Sequence, residues 1–338
     1  MSMFNLAKDP AFNLASLTAA INILPNNYGR LEQMGLFPVK GVKTRAIYVE
    51  EKNGVLTLLQ TQPVGSPGTA GKSGKRKLRS FVVPHIPHDD IVLASDVDGV
   101  RSFGTEDTLQ TVTNEMNDKL QAMKNKHAIT LEHLRMGALK GIILDADGSE
   151  LYNLYTEFDI TAKTIDFKLG TAATDVRGKC LEVARHIEDN LLGEVSTGVR
   201  CLVSPEFFDA FTKHAKVEKA FTYFENQNQD LSKDLRGGFK FGGITFEEYR
   251  GVASDAEGTA RRFIADGEGH AYPEGTMDTF KTAAAAADFN ETVNTMGLLY
   301  YAKVAERKHR RGYDLHTQSN PLPLCQRPGV LVKVHSSN

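Results

Sequence analysis

Residues 105–141 constrain the fold of this chain more than any other stretch. The apolar positions are Leu109, Val112, Met116, Leu120, Met123, His127, Leu131, Leu134 and Ala138, with His127 the one semi-polar member. Their gaps run 3, 4, 4, 3, 4, 4, 3 and 4, which is one stripe on a helix of period 3.6. No proline interrupts it. Thr105 can cap the first turn, Glu106 and Asp107 sit where the helix dipole favours acid, and Gly141 after Lys140 is a stop. Such a rod is roughly 50 Å long, about three times the ordinary globular helix. Something long must lie along its stripe.

The chain has 338 residues, room for one large or two ordinary domains. A formal net charge of −2 gives no electrostatic case for nucleic-acid binding by the chain as a whole. Cys180, Cys201 and Cys325 are odd in number and far apart, and read as reduced thiols in a cytosolic setting, not as a disulfide framework or zinc site. No run approaches eighteen apolar residues, so no membrane span is predicted. The N-terminal MSMFNLAKDPAF lacks a basic region followed by an apolar core, so the chain is expected to work where it is made.

Taken in order, residues 1–43 are polar and proline-punctuated. Leu14, Leu17, Ile21 and Leu24 predict a short amphipathic helix that Pro25 and Asn26-Asn27 end. This is an arm that needs another surface. Residues 44–61 predict a hairpin, with Ile47 and Val49 alternating, Asn53-Gly54 as a primed turn, and 55–59 returning. A Gly-, Pro- and Ser-rich stretch follows, with the basic run Lys72, Lys75, Arg76, Lys77 and Arg79, then extended sequence at 81–83. A β excursion of this length without its own core is entropically costly for a monomer to order. Beyond the long helix, 141–144 and 151–155 flank Asp145-Ala146-Asp147-Gly148 as a second hairpin, and 158–167 is strand-like. Helices are predicted at 171–192 and from Ser204-Pro205 through Ala215, with strands at 199–203, 239–246 and 260–265. Residues 171–265 therefore predict a compact α/β or α+β domain. An alanine-rich stretch, a helical segment at 296–303, a basic patch at 307–311 and a closing strand at 330–334 complete the chain.

Candidate chemistry is weak. Gly71-Lys72-Ser73 suggests a phosphate-binding loop, but the spacing needs glycine at 66, where Ser66 stands, and no buried strand leads in. A basic loop tip is the plainer reading. Asp96-Val97-Asp98-Gly99 and Asp145–Gly148 resemble fragments of calcium loops without the later ligands, and turns explain both. His85, His88, Asp89 and Asp90 form the densest set of potential metal ligands, yet a third ligand must come from elsewhere, and surface or interface histidines are the simpler account. His127 with Glu132-His133 has neither zincin spacing. No serine elbow or cysteine nucleophile is present, so no catalytic, cofactor-binding or metal residue is assigned. The basic run is either a solvated loop or a contact with an acidic surface of a neighbouring subunit; Lys72, Lys75, Arg76, Lys77 and Arg79 are the candidates.

Three stretches carry a resemblance: TRAIYVEEKNGVLTLLQTQPVGSPG at 44–68, FVVPHIPHDDIVLASDVDGVRSFGTE at 81–106, and SNPLP at 319–323 followed by Arg327-Pro328 and an apolar strand. With the order of parts, they resemble the lambda-type major capsid protein (capsid protein E) family of tailed phages. The resemblance implies an α+β Hong-Kong-97-type capsid fold. On this chain it implies an N-terminal arm at 1–43, an extended E-loop at 44–91, a P domain at 92–170 with its spine helix at 105–141, an A domain at 171–265, and a returning P/A segment with the C-terminal strand at 266–338. It implies a virion protein, assembled in the host cytoplasm, that forms hexamers and pentamers of itself in an icosahedral shell around double-stranded DNA. The implied partners are a separate scaffolding protein, a portal, DNA contacted non-specifically and, as an open question, a decoration protein, with no membrane and no cofactor. The alternatives are an encapsulin-like compartment shell and a nucleotide- or metal-dependent enzyme.

Overall fold

The apolar stripe becomes the helix Val112–Lys140 of 29 residues in the computed structural model. The structure describes residues 13–23, 29–52, 76–97, 112–220, 235–254 and 258–337. Several expectations fall outside them: the helix start at 105–111, the Asn53-Gly54 turn with its return at 55–59, Gly71-Lys72-Ser73, Lys75 and Asp98. Met116, Leu120, Met123, Leu131, Leu134 and Ala138 are buried along the helix. Its last turns are buried on most sides, since Glu132, Arg135, Met136 and Leu139 are also inside, while His133 and Lys140 are half-buried. The chain divides into two compact units, one of Met1–Ile47, Phe81–Leu134 and Lys281–Pro323, the other of Tyr48–Ser80, Arg135–Phe280 and Leu324–Asn338.

In the first unit, Tyr301–Glu306, Gly312–Ser319 and Ile86–Leu93 form an antiparallel sheet with Gly312–Ser319 central. The predicted N-terminal helix is present as Leu14–Ile23. Leu17 and Ile21 pack into one core with Val92, Met116, Leu120, Met123, Tyr300, Ala302 and Leu315, joining the helices to the sheet. Each Val, Leu, Ile or Met side chain among them contributes about 1.5–3 kcal/mol by leaving water. Asn22 Nδ2 donates to the Tyr300 carbonyl at 2.9 Å. The helix expected at 296–303 is corrected: Tyr301–Glu306 is a strand, six residues paired against Gly312–Ser319. A short apolar run such as Leu298–Ala302 suits a buried helix or strand equally by periodicity, and the cross-strand partners decide. Val39–Val42 runs parallel to Phe280–Ala285, placing the alanine-rich stretch in a sheet that Pro321–Cys325 completes.

The second unit is built on a six-stranded sheet in the order Lys163–Asp166, Val332–His335, Glu268–Glu274, Gly198–Val203, Ile244–Glu248, Phe239–Phe241. The first pair and the Gly198–Val203/Ile244–Glu248 pair are parallel, and the rest are antiparallel. Gly242-Gly243, both at positive φ, split the predicted strand 239–246 into a hairpin. Helix Val176–Asn190 buries Val176, Cys180, Val183 and Ile187, the face its sequence predicts. Ser204 caps Pro205–Lys213 by accepting from the Phe207 amide at 3.3 Å, with proline in the first turn. Phe207 and Phe211 then meet Phe167 and Phe246 in an aromatic core. The second hairpin pairs Ile142–Leu144 with Glu150–Asn153, and Asn153 caps a short helix Leu154–Glu157 where strand was expected to continue. Ala46–Lys52 pairs with Arg76–Val82 in a separate two-stranded sheet.

Candidate interaction surfaces

The basic run is only partly within the described residues. Arg76 and Lys77 belong to the strand Arg76–Val82, and Lys72 and Lys75 lie outside. Arg79 is engaged within its own chain: it pairs with Asp159 at 3.5 Å, and its guanidinium stands 4.9 Å from the centre of the Phe158 ring. Its side chain is only 14% exposed, so it anchors the strand as well as charging it.

His85, Asp89 and Asp90 line one shallow pocket, but His88 does not join them and each of these side chains has its own partner. His85 Nδ1 lies 3.0 Å from Asn320 Oδ1 and 2.6 Å from Gln318 Nε2. His88 accepts from Lys126 Nζ at 3.1 Å, and its pKa is lowered by burial and then by that ammonium, against Asp90 and Asp89. Asp89 instead pairs with His316. Among the described residues no three His, Cys, Asp or Glu side chains gather in a group that could hold a metal ion. His127 is buried, with Nε2 3.0 Å from Thr317 Oγ1, and Glu132 accepts from the Leu31 amide at 2.9 Å. Both secure the first-unit part of the long helix, residues 112–134, within that unit.

The aspartates close turns. Asp147 accepts from the Ser149 amide and hydroxyl at 2.8 and 2.6 Å, and its carbonyl takes Arg261 Nη2 at 2.6 Å. Asp96 accepts from the Leu93 amide at 3.0 Å and pairs with Lys119 at 3.6 Å. The thiols are sealed in the second unit. Burial pushes Cys180 and Cys325 up to about 12 and Cys201 well above its ordinary value.

The basic patch at 307–311 turns out to be the tip between Tyr301–Glu306 and Gly312–Ser319. Arg307 pairs with Asp314 at 3.1 Å and Arg310 with Glu306 at 3.3 Å, while Lys308 through Arg311 are exposed. His309 and Arg310 hold φ of 63° and 54°, so the tip is strained as well as cationic. Its charge was legible in the sequence; the hairpin that presents it was not.

What the described residues of these surfaces offer is contact. Residues 13–336 match the family described as phage major capsid protein E. The chain belongs to the phage major capsid protein E family. It is similar to the major capsid protein of Pseudomonas phage KPP10, 30% identical over 95% of this chain and 96% of that one. The major capsid protein of Salmonella phage Felix O1 is likewise 30% identical, over 99% of both chains. Among solved structures, the mature capsid of bacteriophage PhiM1 aligns with a TM-score of 0.52 at 14% identity, covering 94% of this chain and 89% of the other. The fold is thus the mixed α+β fold of Hong-Kong-97-type phage capsids. As a phage capsid protein E, the chain is a structural component of the virion, the major capsid protein whose copies form an icosahedral shell, and not an enzyme.

Proposed function

We propose that the shell is built from hexamers and pentamers of this chain and encloses double-stranded DNA, with a separate scaffolding protein and a portal as partners in its assembly. The long helix serves as the spine of a P domain, residues 171–265 form an A domain, and 44–91 form an E-loop that reaches a neighbouring subunit. The reading rests on one observation, the family match over residues 13–336, within which the long helix, the six-stranded sheet and the closing strand all fall. Lys72, Lys75, Arg76, Lys77 and Arg79 are the proposed inter-subunit contacts, with Arg79 acting through the strand it anchors to Asp159. Arms without a core of their own are stabilised by burial against neighbours.

The test is size. The full chain, alone and co-expressed with its neighbouring genes, is examined by sedimentation velocity and negative-stain microscopy. Closed shells or capsomer rings with six-fold and five-fold members are expected. A persistent monomer under both conditions, or particles that carry enzyme cargo and never DNA, would overturn the proposal.

A further inference from the structure

One face of the six-stranded sheet carries polar groups at an open pocket of about 650 Å³. His270 lies directly across from Lys333 on the adjacent strand, and Glu268 is two residues along, on the same face. Lys333 Nζ pairs with Glu268 at 2.6 Å. Lys140, the last residue of the long helix, lines the same pocket, whose apolar wall includes Ile142 and Ile160.

Among the described residues, two of these groups carry a nitrogen with no partner. His270 is 6% exposed, and its buried Nε2 has no hydrogen-bond partner. Lys140 forms no ion pair among the described residues, while its carbonyl is taken by the Tyr155 hydroxyl at 3.1 Å. Glu268 acts on Lys140 only from a distance, because its carboxylate is committed to Lys333. Burial lowers the Lys140 amine to about 8 against the opposing pull of Glu268, with Lys333 adding to the fall. Burial, then Lys140 and Lys333, hold His270 near 3, so its ring is neutral and can donate one N–H. An ammonium withdrawn from water without a counter-ion is unfavourable, and an anion placed beside it removes that penalty.

The charges define the missing group. Asp159 also lines the pocket but pairs with Arg79 at 3.5 Å, and Glu268 pairs with Lys333, so Lys140 is left as a single positive charge in excess, which a monoanion balances and a phosphate dianion overshoots. We propose that Lys140, Lys333 and His270 form a carboxylate-binding site, which takes a carboxylate on a short aliphatic stem lying against Ile142 and Ile160. The carboxylate has two sources: an acidic side chain of a second copy of this chain, or a free small organic acid. Only the first rests on the shell reading above.

Acylation of Lys140 by N-hydroxysuccinimidyl acetate, measured by peptide mass spectrometry against exposed Lys213, tests the site in unassembled full-length subunits and in shells. Sodium butyrate is the probe, with sodium chloride at equal ionic strength as control. Butyrate is expected to slow Lys140 labelling several-fold in subunits and leave Lys213 unchanged. Lys333→Gln should lose this protection, and Glu268→Gln, which removes the competing carboxylate, should strengthen it. Lys140 already protected in shells without butyrate, and exposed again in Lys333→Gln shells, identifies a neighbouring copy as the source. Equal labelling in shells and subunits, with butyrate protecting both, identifies a free acid. If butyrate and chloride act alike in subunits, and shells either leave Lys140 open or cover it equally in Lys333→Gln, the site does not exist. Failure to form shells would count against the shell reading alone, since the subunit measurements stand without it.

Discussion

His127 occupies the one semi-polar place in the helix stripe, with ring centroids of His88 and Tyr300 each 6.2 Å away. Burial first, then His88 and His316, pushes its pKa down to about 4. An unfolded histidine titrates near 6.5. Between those values the folded ring binds fewer protons than the unfolded one. Its contribution is therefore complete above about 6.5 and is lost as pH falls toward about 4, by about 1.4 kcal/mol per pH unit. The urea midpoint of the natural protein should drop more steeply on acidification than that of His127→Gln, which stays neutral and can still reach Thr317. Parallel slopes for the two proteins would remove His127 as the source. The residue's inward position was legible from its spacing. Its partners were not, because Thr317 is 190 residues away and only the assembled sheet brings it near.

At the scale of elements, the helix was the most legible part, since nine positions agree on one face. Its C-terminus also follows the sequence: Gly141 has φ of 82°, and a Cβ there would meet the Tyr155 ring. Met123, 1% exposed in the first unit's core, tests the stripe energetically. Met123→Ala is expected to cost about 2–5 kcal/mol in chemical denaturation, as large-to-small changes in packed cores do. A cost near zero would place that face in solvent. The hairpin tip at 307–311 was illegible because Tyr301–Glu306 gives no turn signal: its loop uses His309 and Arg310 where a primed turn prefers Asn-Gly. His309→Gly should raise stability by roughly 0.5–1 kcal/mol, since relief of the left-handed backbone exceeds the added freedom of the unfolded chain. His309→Val should lower it, because a β-branched residue fits that conformation worst. The same order of stability for both substitutions would refute the strained tip.

Across the whole molecule, local pattern gave the longer helices and a number of strands, but it missed Ile86–Leu93, Glu268–Glu274 and Gly312–Ser319, and none of the larger sheets could be read from it. The second unit's sheet takes Lys163–Asp166 and Val332–His335 as parallel neighbours, although about half the chain separates them. No periodicity encodes that pairing. The closing segment is secured by Arg327, which pairs with Glu194 at 2.8 Å and donates to the Leu191 carbonyl at 2.5 Å. Glu194 also accepts from the Asp278 amide and the Thr279 hydroxyl at 2.6 and 2.7 Å. Its side chain is 9% exposed, so Glu194→Ala leaves a guanidinium and two donors unpaired and should cost about 3 kcal/mol. The three buried thiols show where that energy acts. All lie in the second unit, and burial keeps them protonated and out of reach. In the natural protein, dithiodipyridine should label them together, at the rate of global unfolding. In Glu194→Ala, Cys325, two residues before Arg327, should react ahead of Cys180 and Cys201, because the closing segment is released while the helix and central strand stay packed. Simultaneous labelling in the variant would mean that the second unit opens only as a whole, and that the clasp acts on the unit's total stability, not on its last segment.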